Sequence, residues 1–79
     1  MIFGAQMGVN VEVITLRDDY IKLGQALKAA GIVGSGVDAK FIILDGLVKV
    51  NGQTCVQRGK KLIDGDIVEY NGEQIKISK

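Results

Sequence analysis

Seven cationic side chains, Lys22, Lys28, Lys40, Lys49, Arg58, Lys60 and Lys61, fall between residues 21 and 61 against only Asp38 and Asp45. That segment carries +5, residues 1–20 and 62–79 carry −2 each, and the chain as a whole +1. Ammonium and guanidinium groups at this density suit charge-assisted hydrogen bonds to the oxygens of a polyanion. The parts of a reaction centre are missing. The 79 residues contain no His, Ser35 has no base beside it in sequence, and Cys55 sits on an expected strand without a His partner, whereas an activated nucleophile needs such a neighbour. Ser35 reads as a helix cap and Cys55 as a structural thiol. Asp64-Gly65-Asp66 is turn chemistry, with too few oxygens for a calcium loop. Gly31-Ile32-Val33-Gly34-Ser35-Gly36 lacks the preceding strand and following Lys-Ser/Thr of a phosphate loop. Binding without catalysis, and without metal or cofactor, is therefore expected.

The elements that must position these cations can be read from periodicity. Residues 1–8 show none and are expected to be a flexible leader, with one domain over 9–79. Val9 to Leu16 alternates with β-branched residues and suits a strand, after which Asp18 and Asp19 supply a turn or helix entry. Leu23, Ala26, Leu27 and Ala30 make the stripe of an amphipathic helix, and Gly31 ends it. Ser35 followed by Asp38 opens a second helix, from about Gly36 to Asp45, with Gly46 as its stop; Ala39, Ile43 and Leu44 are assigned to the core. The period then falls to two. Val48 and Val50 face inward and Lys49 outward, Asn51-Gly52 predicts a type I′ hairpin, and the return strand covers about Gln53 to Gln57. Arg58 to Lys61 is a basic loop, Ile67 to Tyr70 a strand, Asn71-Gly72 a second hairpin and Gln74 to Ile77 the last strand. The expected fold is α+β: two short packed helices in a helix-turn-helix against a small, mainly antiparallel sheet of about four to five strands.

One hydrophobic core must stabilise this domain, because a single cysteine permits no intrachain disulfide and the absence of His removes an ordinary zinc site. Apolar residues make up 47% of the chain, enough for such a core. The lone thiol and the lack of a signal-peptide pattern predict a cytoplasmic protein, and no apolar run reaches the roughly 20 residues that span a bilayer. A monomer is expected. Phe3, Tyr20, Phe41 and Tyr70 are the only aromatics, and none forms a row on one strand. Single-strand binders offer stacking platforms, so folded, helical RNA read through backbone and shape is the polyanion favoured.

Lys22-Leu23, Leu27-Lys28, Gly31-Ile32, Ser35-Gly36, Ala39-Lys40, Ile43, Gly46 and Val48-Lys49-Val50-Asn51-Gly52 together resemble the S4 RNA-binding domain, the αL motif. Arg58-Gly59-Lys60-Lys61-Leu62 and Gly65-Asp66-Ile67-Val68 extend the likeness, which covers about Tyr20 to Tyr70. The chain is similar in length to small stand-alone bacterial members. The resemblance implies binding of structured RNA, ribosomal RNA foremost, through the helix-turn-helix and hairpin face. Carried over by position, Lys22, Lys28, Lys40, Lys49, Arg58, Lys60 and Lys61 match its basic positions, and Ser35 and Asn51 complete the implied RNA-binding set. Two positions depart from the family pattern. Gly36 replaces an arginine common after the cap serine, removing one phosphate contact. Gly24 replaces an acidic residue common after the first helix leucine, so helix one is expected to start less firmly. Acidic ends and a near-neutral total favour an alternative, a protein-interaction module docking on a ribosomal protein or assembly factor. A β-grasp sulfur carrier fits poorly, since Ile77-Ser78-Lys79 stands where Gly-Gly would be needed.

Overall fold

Alternating segments from opposite ends of the sequence become neighbours. In the computed structural model, which describes residues 10–79, the first segment forms β1 (Asn10–Thr15). Its parallel partner is the last strand, β7 (Glu73–Ser78), with Asn10 beside Glu73 and Thr15 beside Ser78. The expected leader over residues 1–8, and Val9, lie outside the described residues. Between these strands the chain forms β2 (Ile21–Lys22), α1 (Leu23–Ala29), α2 (Gly36–Leu44), β3 (Val48–Val50), β4 (Gln53–Thr54), β5 (Lys61–Leu62) and β6 (Ile67–Tyr70). The main sheet has the order β1-β7-β6-β3-β4, and β2 pairs separately with β5. Apart from β1–β7 every pairing is antiparallel. The α+β architecture is as expected, with the small β2–β5 pair as an addition.

Glycine stops both helices in the same way. After α1, Gly31 at φ +75° donates its amide to Lys28 O and Ile32 donates to Leu27 O; after α2, Gly46 at φ +76° donates to Ile43 O and Leu47 to Ile42 O. These are Schellman closures, whose left-handed residue suits glycine. At the start of α2 the Ser35 hydroxyl accepts from the Asp38 amide at 3.2 Å, so the predicted cap is formed. The core joins Leu23, Ala26 and Leu27 of α1, Ala39 and Ile43 of α2, and Val48, Val50, Leu62, Val68, Ile75 and Ile77 of the strands. Each of the two Asn-Gly turns places both residues at positive φ, as a type I′ hairpin requires.

Three expectations fail for physical reasons. Leu44 is 57% exposed rather than core. Helix α2 is apolar on several sides, with Val37, Phe41 and Leu44 all exposed, so its periodicity could not identify the buried face. The return strand stops at Thr54. Cys55 still donates its amide to Val48 O, but beyond it the chain leaves the sheet to reach α1. Lys61, assigned to a loop, is in β5 opposite Lys22. It is Ile14 of β1 and Leu16 just beyond it that turn inward, while Val11 and Val13 remain exposed.

The hairpin tip is tied to the turn before β6. The Asn51 side chain donates to Asp66 Oδ1 and accepts from the Ile67 amide, each at 2.9 Å, while Asp66 Oδ2 accepts from the Ile63 amide at 2.9 Å. Asn51→Gly keeps the positive φ and loses the two side-chain bonds, so it should cost about 1–2 kcal/mol in urea denaturation. Asn51→Ala should cost about 1 kcal/mol more, because alanine is strained at that φ; equal costs would exclude strain as the difference.

At the far edge, the exposed Lys79 ammonium meets Asp19 at 2.8 Å. The hydrogen bond and the charge of Lys79 hold the Asp19 carboxyl below its ordinary value. Any stability from this pair is therefore present above the ordinary carboxylate range and lost as pH falls through the lowered value. In an NMR pH titration, Lys79→Ala should return Asp19 upward.

Candidate nucleic-acid interface

The first residue of α1 follows Lys22 directly, and no side chain caps the helix. Its leading amides are satisfied by a distant loop instead. Leu23 donates to Lys60 O at 2.8 Å and Gly24 donates to Arg58 O at 3.1 Å. These bonds answer the orphan amides of a helix start and fix the basic loop against α1. Helix one is thus firmly seated at Gly24, contrary to the expectation of a weak start. Gly24 is buried, and a Cβ there would lie 2.8 Å from Arg58 Cγ.

This docking forms an open cleft of about 310 Å³, lined by Lys22, Gly24, Gln25, Lys28, Gly36, Arg58 and Gly59. Three cations face it and no carboxylate lines it. Among the described residues the only salt bridge joins Lys79 to Asp19, so Lys22, Lys28 and Arg58 carry no carboxylate partner. Lys22 also stands at the positive end of α1, whose first turn has no acidic residue, and opposite Lys61 in the β2–β5 register. Cations so placed repel one another and the helix dipole. An anion in the cleft relieves both interactions. Lys28, in the last turn, is favoured by the dipole. Gly36, where an arginine was noted as missing, borders the same cleft.

The other expected site residues are distributed differently. Lys60 borders an adjoining groove with Val50, Asn51, Gln53, Thr54, Cys55, Val56 and Gln57. Lys61 reaches over the Tyr20 ring, 4.8 Å from its centre, a cation–π contact. Lys40 is exposed on α2, outside the lining of the cleft. Lys49 is exposed on β3, opposite Glu69, in a depression shared with Glu69 and Glu73. Those carboxylates disfavour a phosphate there. The Ser35 hydroxyl is used by the α2 cap and the Asn51 amide by the turn to Asp66. Sequence reasoning gathered all the cations onto one face; the fold gathers Lys22, Lys28 and Arg58. Gly24 and Gly59 line the cleft without having been read as site residues, and the one signal in the sequence was a glycine in the first turn of a helix.

The S4 domain family matches residues 14–78, most of the chain. This chain belongs to the S4 domain family. A relative in Bacillus subtilis, described as the probable ribosome maturation protein RlbA, is 41% identical over 59 residues, covering 75% of this chain and 83% of its own. The putative RNA-binding protein YbcJ of Escherichia coli is 31% identical over 58 residues, covering 73% of this chain and 83% of its own. In this S4 domain the cleft lies where α1, the start of α2 and the 58–60 loop meet.

The cleft geometry predicts that tripolyphosphate added to the isotope-labelled protein shifts the amide signals of Gly24, Lys28 and Gly59 in a saturable way. Those of Asn71 and Gly72, at the far hairpin, should move little. Uniform shifts across both regions would show that the cleft holds no preferred anion.

Proposed function

We propose that this protein is a non-catalytic, cytoplasmic RNA-binding protein that recognises structured RNA, ribosomal RNA foremost. The observation carrying the proposal is the carboxylate-free cleft lined by Lys22, Lys28 and Arg58. Three cations without carboxylate partners at one concave place can engage the phosphates of a nucleic-acid backbone together, which an isolated surface lysine cannot. The names of the relatives, a ribosome maturation protein and an RNA-binding protein, support the same direction. Of the exposed aromatics among the described residues, Tyr20 precedes β2 and Phe41 lies on α2, so they form no stacking row. Readout through backbone and shape follows from that scarcity. The main contacts come from Lys22, Lys28 and Arg58, with Lys60, Lys61 and Lys40 on flanking surface and Lys49 contributing least.

Neutralising about three to five phosphates gives log affinity against log salt a slope of about −2 to −4. The Lys28→Glu, Arg58→Glu double variant should weaken binding to purified ribosomal RNA by more than about 30-fold with the fold intact by circular dichroism, each reversal removing a charge-assisted contact. Lys49→Glu should change affinity less than about three-fold. A slope near zero, or equal losses from the two variants, would reject this assignment.

A second reading, docking on a ribosomal protein or assembly factor, is favoured by the exposed Val37, Phe41 and Leu44 along α2. Ribosome association that survives nuclease treatment but is lost in Phe41→Ser would select it.

A further inference from the structure

We infer that Gly24 is a positioning residue for RNA binding, holding the Arg58 guanidinium at the cleft by having no side chain; the inference rests on the RNA reading above. A Cβ at position 24 would meet Arg58 Cγ at 2.8 Å, Cδ at 3.4 Å and the Arg58 carbonyl oxygen at 3.7 Å. The first distance is shorter than carbon atoms tolerate, and Cγ is too near the backbone to swing aside alone. The backbone beneath cannot retreat freely either, because Arg58 O accepts from Gly24 N and Lys60 O accepts from Leu23 N. The stem of Arg58 therefore lies directly on the α1 backbone, and Arg58 lines the cleft together with Lys22 and Lys28. Any side chain at position 24 must turn that stem away. Glycine is a poor helix residue, and α1 has only seven residues. A local rule broken beside a cluster of unpaired cations marks a position held for the site rather than for the helix.

Gly24→Ala tests this directly. With purified ribosomal RNA as the probe, affinity should fall about 5- to 20-fold and the salt slope should shrink by about one, the signature of one lost phosphate contact. In an Arg58→Ala background the same change should alter affinity less than two-fold, since nothing remains to be displaced. Thermal unfolding gives a second readout. Gly24→Ala should lower the melting temperature when Arg58 is present and raise it in the Arg58→Ala background, where only the helix preference acts. A single variant that fails to fold while the double variant folds supports the same contact. An unchanged affinity and slope in Gly24→Ala overturns the inference, as does an equal loss with and without Arg58. If the unaltered protein does not bind the RNA at any salt concentration, the RNA reading fails. Tripolyphosphate titration of the same four proteins then judges Gly24 alone: equal affinities overturn its positioning role, and a loss confined to the Arg58-containing pair upholds it.

Discussion

The attachment of residues 58–60 to the first turn of α1 is the constraint on which the rest of the interface depends. Two backbone hydrogen bonds, Leu23 N to Lys60 O and Gly24 N to Arg58 O, replace a side-chain cap and close the long excursion that follows β4. They use polar groups that any helix start must satisfy, so the loop is held by an obligation of the helix and not by its own side chains. Basic side chains are then free to point outward. The β2–β5 pair continues the attachment through Ile21 opposite Leu62, and Leu62 is buried in the core beside Leu23 and Leu27. Hydrophobic burial thus secures a strip of backbone whose surface is almost wholly cationic.

That arrangement carries an electrostatic cost in the free protein. Lys22 lies at the positive end of a helix and across from Lys61, while Arg58 and Lys28 face the same cleft without a carboxylate. Lys61 is moderated by the Tyr20 ring. Several acidic residues are engaged elsewhere: Asp66 in the turn with Asn51, Asp19 with Lys79, and Glu69 and Glu73 around the far hairpin. A net charge of +1 conceals this separation. Its consequence is a carboxylate-free cleft prepared for anions on a chain that is nearly neutral overall.

Much of this was legible in the sequence because short-range rules decide it. Gly31, Ser35, Gly46 and the two Asn-Gly turns act within a few residues of themselves, and all five features are formed as the sequence indicates. The buried stripe of α1 followed from its sharp polarity, whereas α2 is apolar on several sides and concealed that Leu44 faces outward. Long-range relations were hidden. Nothing near Lys49 in sequence announces Glu69 as its cross-strand neighbour, and nothing near Asn51 announces Asp66. Gly24 was misleading for the same reason: its importance comes from Arg58, which only the folded chain brings against it.

The parallel pairing of β1 with β7 has a consequence for the order of assembly. Among the described residues, strand β1 lies at the sheet edge with β7 as its one neighbour, and it joins Asn10 to Glu73 across nearly the whole chain. Closing so large a loop is entropically late. The helices, the two hairpins and the loop on α1 can form beforehand from nearer contacts. On opening, the same strand is the natural first piece to detach, as a local unit of lower stability than the core. Ile14 and Leu16 belong to the same core cluster as Leu23 and Leu27, so fraying at that edge would uncover part of the core, whereas the two hydrogen bonds that hold the cationic loop on α1 involve no residue of β1.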